Sequence, residues 1–76
     1  MKDEAIESLR KALKHDQLLE RLREVMKEKE LSALGASRFI ETSPRSVYRW
    51  LKYEVRPSLI FRKMIRLGIK RIERLP

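Results

Sequence analysis

Seventy-six residues with no cysteine, one histidine and a formal charge of +8 leave room for one small domain, without disulfides or thiolate and histidine metal centres. So short a chain has no room for a deep catalytic cleft, and its basic half holds too few carboxylates to build a nucleophile with an adjacent base and an orienting partner. No apolar run approaches the roughly 20 residues of a membrane span, and the Met1–Glu7 start is acidic rather than signal-like. The expectation is a cytoplasmic, non-enzymatic protein with no metal, no cofactor, no membrane and no small-molecule substrate.

The position of the charge says more than its size. Residues 1–41 hold nine Lys/Arg and nine Asp/Glu, whereas residues 42–76 hold ten Lys/Arg against Glu54 and Glu73 and carry the whole excess. A neutral half joined to a strongly basic one is the footprint of a polyanion partner, nucleic acid first and an anionic membrane surface second.

No stretch alternates with period two long enough to form a strand, so the elements are helices. The first runs from a cap at Asp3 to about Lys14, with Ile6, Leu9 and Leu13 on one stripe. Asp16 and Glu20 break that seam where a coiled coil would need apolar residues, and Asp16 reads as the cap of a second helix, Gln17 to Glu30. Leu18, Leu19, Leu22, Val25 and Met26 form its apolar side, and its charges sum to neutrality. Ser32 caps a short third helix, Ala33 to Ile40. Three non-apolar residues, Glu41 to Ser43, then separate it from a fourth that starts at Pro44, where serine caps and proline suits the first helical position. Pro57 stops the fourth helix, and Pro57-Ser58 opens a fifth to about Leu67. Gly68 is the expected terminator, with Ile69–Leu75 as a further short helix.

At about 100° per residue, the fourth helix places Val47, Trp50 and Leu51 on one face and Arg45, Arg49 and Lys52 on the other. An apolar anchor behind three cations presses a basic ridge against something anionic. Arginine also grips guanine O6 and N7 with two parallel hydrogen bonds, which makes Arg45 and Arg49 candidate base readers, with Ser46 and Tyr48 flanking them. The competing reading is a merely solvated outer helix face.

The run Leu22-Arg-Glu-Val-Met-Lys-Glu-Lys-Glu-Leu-Ser32, then Thr42-Ser-Pro-Arg-Ser-Val-Tyr-Arg-Trp50, then Arg56-Pro-Ser58, resembles the lambda-repressor/Cro-like (Xre-type) helix-turn-helix family over about residues 18–70. The resemblance implies that the third helix crosses the DNA backbone and the fourth reads the major groove. It puts Arg45, Ser46 and Arg49 at bases, the Ser32–Ala33 helix start and Ser43 near phosphates, and Ala36, Ser37, Ile40, Val47 and Trp50 in the core. Arg38, Lys52, Tyr53 and Arg56 are further phosphate candidates. Three positions depart from the family pattern: Ser37 stands for a usual alanine, Glu41 for a frequent turn glycine, and Ala33 for a polar phosphate-binding side chain.

Other residues carry paired readings. Trp50 is either core or a base-stacking platform, Phe39 either packs under the N-terminal helix or forms a subunit contact, and His15 is a surface or capping residue. The C-terminal run interleaves Ile60, Phe61, Met64, Ile65, Leu67, Ile69 and Ile72 with Arg62, Lys63, Arg66, Lys70, Arg71 and Arg74. Its apolar residues are expected to close the core, leaving the cations for phosphates or solubility.

The sequence thus predicts an all-α compact bundle of five to six short helices containing a helix-turn-helix. Residues 1–15 form an amphipathic extension and residues 16–76 the DNA-binding domain. The expected activity is sequence-specific binding of double-stranded DNA, as a repressor-type transcriptional regulator with residues 44–52 in the major groove. A homodimer on a palindromic site fits one small module, its interface supplied by the first helix, Phe39 or the C-terminal helix. Alternatives are an antitoxin-like or adaptor module on the same fold, an RNA or single-strand binder, and a membrane-surface protein.

Overall fold

The computed structural model describes residues 2–76, with side chains from Glu4 onward. Five helices follow in order: α1 (Lys2–Lys14), α2 (Gln17–Glu28), α3 (Ala33–Ile40), α4 (Pro44–Leu51) and α5 (Leu59–Glu73). Helix accounts for 74% of the chain, and there is no strand among the described residues. The side chain of Asp3 lies outside the described residues, and α1 is already under way at Lys2.

Side-chain caps set the starts of the other four helices. The Asp16 carboxylate accepts from the Leu18 and Leu19 N–H groups at 3.0 and 3.3 Å. Ser32, Ser43 and Ser58 each accept from the N–H three residues on. Such caps satisfy backbone donors that have no partner within the helix, each contributing about 1 kcal/mol.

The helix ends are less conventional. Glu30, Glu41 and Tyr53 have φ of 55°, 64° and 60°, the left-handed region. Each stands just past a helix and closes it in the same way. Leu31 N–H donates to Met26 O, Thr42 N–H to Ser37 O and Glu54 N–H to Arg49 O, at 2.8, 3.1 and 3.0 Å. This six-to-one closure satisfies a terminal carbonyl and favours glycine at the left-handed residue. Here three non-glycine residues occupy it, at a cost of roughly 1 kcal/mol each.

The two glycines serve elsewhere. Gly68 does not end α5, which runs unbroken to Glu73 in place of the expected break and sixth helix. A Cβ on Gly68 would stand 2.6 Å from Ile40 Cγ1 and 3.2 Å from both Ile40 Cα and Phe39 O. The residue is glycine because α5 crosses the end of α3 in close contact, not because the backbone turns there.

The core lies among α2, α3, α4 and α5. Leu19, Leu22, Val25 and Met26 of α2 meet Ala36 and Ile40 of α3, Val47 and Trp50 of α4, and Ile65, Ile69 and Ile72 of α5. Leu18, Phe39, Leu51, Phe61 and Met64 are half-buried against them. Two expected core residues are not there: Ile60 is 72% exposed and Leu67 is also exposed, because the long α5 turns only one stripe inward. From α1, Leu13 is buried, Leu9 is half-buried and Ile6 is 48% exposed, so the helix is anchored by its last turn. The molecule measures 46 Å along its longest axis and 21 and 18 Å across it.

Candidate nucleic-acid interface

The three residues Glu41, Thr42 and Ser43 connect α3 to α4. The left-handed Glu41 reverses the chain, and Arg71 of α5 holds the end of α3 by donating to Phe39 O at 3.0 Å, with its guanidinium 3.9 Å from the Glu41 carboxylate. Ser37 is buried beside this turn, where the resemblance would place alanine. It fits because its hydroxyl donates to Leu34 O one turn back at 2.7 Å, leaving no unpaired polar atom.

Pro44 occupies the first position of α4, and the Ser43 hydroxyl accepts from Ser46 N–H at 3.2 Å. Val47 is fully buried and Trp50 is 3% exposed, its ring centroid 5.4 Å from that of Phe61 on α5. At the other end Arg23 of α2 donates to Leu51 O and lies over the Tyr53 ring, 5.1 Å from its centroid. The short helix is therefore held along its inner face and at both termini.

With that face docked, Arg45, Tyr48, Arg49 and Lys52 project outward, and all four are exposed. Lys52 Nζ lies 5.4 Å from the centre of the Tyr48 ring, a cation–π contact that draws the two together. Arg49 faces Glu54 at 3.7 Å, both about half exposed, a pairing worth under about 1 kcal/mol in solvent. Among the described residues Arg45 makes no ion pair or side-chain hydrogen bond. The ridge is continuous, cationic and weakly tied.

The remaining candidate residues divide. Ser32 and Ala33 stand at the start of α3; the Ser32 side chain takes Gly35 N–H, and the Ala33 and Leu34 N–H groups have no partner within the helix. Arg38 is exposed on α3. The Ser46 hydroxyl sits 3.0 Å from that of Ser43 and is half-buried, turned into the cap rather than along the ridge. Tyr53 is half-buried under Arg23. Arg56 is exposed and lines a groove whose walls include Ala12 and Leu59. Trp50 is core, and no face of it is open to a base.

Two further positioning contacts, like that of Arg71, have no local signature in the sequence. One is the grip of Arg23 on α4. The other is Arg62, whose guanidinium meets the Asp16 carboxylate at 2.7 and 3.4 Å and ties the start of α2 to α5. Burial alone would raise the pKa of Asp16, but the hydrogen bond and charge of Arg62 and the Leu18 and Leu19 N–H groups outweigh it and hold the carboxyl below its ordinary value.

Comparison with protein-family models, with curated proteins and with solved structures found no match. No described helix is long and apolar enough to cross a membrane, and no group of His, Cys, Asp or Glu among the described residues is arranged to hold a metal ion.

Proposed function

We propose that this chain binds double-stranded DNA through α3 and α4 acting as a helix-turn-helix, and serves as a transcriptional regulator of the repressor type. The observation that carries the reading is α4 itself. It is anchored by Val47 and Trp50, and its long exposed side chains, with that of Lys52 at its C-cap, are Arg45, Tyr48 and Arg49. A helix of about 5 Å backbone diameter, ringed by long side chains, fits the major groove, which is about 12 Å wide. Arg45 and Arg49, four residues apart, reach base edges on one side, while Tyr48 and Lys52 contact a thymine methyl or a phosphate. The open N–H groups at the start of α3 and the exposed Arg38 receive the backbone of one strand. The resemblance of residues 42–58 to the lambda-repressor/Cro-like family supports the same placement.

The competing reading, an RNA or single-strand binder that stacks bases on Trp50 or Tyr48, keeps only the second platform, because Trp50 is buried and Tyr48 is exposed.

Selection from a random 20-base-pair duplex library, with wild type, Arg45→Ala and Arg49→Ala side by side, tests the assignment. Each truncation is expected to blur the enriched motif at its own position and cost about 1–3 kcal/mol there, while nonspecific binding weakens less. Enriched motifs unchanged by either substitution would remove α4 from the groove.

A further inference from the structure

The apolar residues of the C-terminal run would speak against a membrane surface only if the core consumed them all. It does not. Leu59, Ile60 and Leu67 are 80%, 72% and 53% exposed, and all three belong to α5, which carries five Lys/Arg and one carboxylate. At about 100° per residue, Ile65, Gly68 and Ile72 mark the side of α5 that is buried. Leu59, Ile60, Lys63, Leu67, Lys70 and the C-cap Arg74 fall on one arc opposite to it, and all six are exposed.

That arc holds no acid. The single carboxylate of α5, Glu73, lies outside it and is paired with Arg21 of α2 at 2.9 Å. Among the described residues none of Lys63, Lys70 and Arg74 has a carboxylate partner. The neighbouring helices are met elsewhere: Trp50 of α4 packs on Phe61 and Ile40 of α3 on Gly68, both outside the arc. The face is therefore free, cationic and distinct from the ridge of α4.

Its pattern identifies the occupant. Cations without acids require an anionic surface, and large apolar side chains interleaved with those cations require one that is apolar just beneath its charge. Nucleic acid supplies phosphates but nothing to receive Leu59, Ile60 and Leu67. A bilayer with anionic headgroups supplies both. Apolar side chains enter the boundary between headgroups and acyl chains, while the long stems of lysine and arginine let their charged ends rise to the phosphates. The helix is already formed, so its inner side stays in the core during such a contact.

We propose that α5 docks this chain on an anionic lipid surface through its outer face, with Leu59, Ile60 and Leu67 inserted and Lys63, Lys70 and Arg74 at the headgroups.

Flotation of the full chain with vesicles of roughly 30% phosphatidylserine in phosphatidylcholine, up to about 1 mM lipid, tests it, because a single acyl anchor half-binds near roughly 0.1 mM. Wild type is expected to float with these vesicles, to bind pure phosphatidylcholine at least about ten-fold less, and to be released progressively as salt rises from about 0.1 to 1 M. Leu59→Gln with Ile60→Gln leaves the charge unaltered and should still weaken binding at least about ten-fold, with helicity, unfolding midpoint and DNA selection as in wild type. Lys63→Gln with Lys70→Gln should weaken it about ten- to thirty-fold and flatten the salt dependence. Wild type that does not float would overturn the proposal. So would a Leu59/Ile60 variant that floats as wild type does, since cations alone would then hold the vesicle, or a lysine variant that is unaffected. A face that takes up polyglutamate or duplex DNA in preference to anionic vesicles would assign it to a protein or a nucleic acid and overturn the lipid contact. None of the substituted residues lies on α3 or α4, so either proposal can fail while the other stands.

Discussion

Arg49 and Glu54 show how finely the outward face of α4 is balanced. The guanidinium has a carboxylate 3.7 Å away, on the loop that follows the helix, so entry into a groove requires exchanging that partner for a base or a phosphate. Exposed pairs of this kind hold weakly. The carboxylate itself would repel the DNA backbone. Replacing it, in Glu54→Gln, is expected to tighten duplex binding about two- to ten-fold and steepen the salt dependence, as fluorescence anisotropy titrations at two salt concentrations would show. Unchanged affinity would mean that Arg49 points elsewhere in the complex. Much at this scale was legible from residue type and spacing, including the Asp16, Ser32 and Ser43 caps, the helix start at Ser58 and the apolar face of Val47 and Trp50, while the burial of Ser37 was implied by the family resemblance. What spacing did not reveal is where a hydroxyl turns: Ser46 lies one residue from Arg45, yet its side chain is engaged by Ser43.

Three of the helices end on left-handed closures that no glycine marks. Glycine commonly stops helices, and Gly68 was expected to stop α5; instead it lies against Ile40, while the left-handed closures fall to Glu30, Glu41 and Tyr53. A sequence shows that glycine is present but not whether its missing Cβ serves a turn or a neighbour. The two glycines separate these roles experimentally. Gly68→Ala must push backbone and Ile40 apart, and is expected to cost about 1–3 kcal/mol. In Gly35→Ala the new methyl meets only the end of the Leu31 side chain at 3.1 Å, which can swing aside. That variant is expected to be neutral or to gain up to about 1 kcal/mol from better helix propensity. Urea unfolding followed by the fluorescence of Trp50 would show both; equal effects would mean that α3 and α5 do not meet at Gly68.

Over the whole molecule, α2 and α5 form the frame on which α3 and α4 are displayed, and long-range cation contacts fasten it. Arg62 on Asp16, Arg23 on the end of α4, Arg71 on the end of α3 and Lys29 on Leu75 O join segments between 28 and 46 residues apart. Helix periodicity predicted the apolar faces of the helices, but no local pattern pairs residues at such separations. The basic excess of residues 42–76 was accordingly read as more available than it is, since Arg62 and Arg71 are partly spent inside the fold. The Asp16–Arg62 pair gives a pH signature. Because the folded carboxyl titrates below its ordinary value, the contribution is present above the unfolded-chain value of about 3.9 and lost as pH falls from there through the folded value. Asp16→Asn is expected to cost roughly 1–2 kcal/mol at pH 7, with the deficit shrinking below about pH 4. A deficit independent of pH would mean that only the cap geometry, and not the charge, matters.

The central proposition is that DNA meets this protein on the outer face of α4 and the start of α3. Amide chemical-shift mapping of the 15N-labelled chain, titrated with a 20-base-pair duplex drawn from the enriched pool, reads that face directly. The largest changes are expected across Ser32–Gly35 and Ser43–Lys52, with the outer turns of α1 unmoved. Changes concentrated instead on α1, or on the exposed side of α5 around Lys63 and Lys70, would place the nucleic acid on another surface and contradict the helix-turn-helix reading.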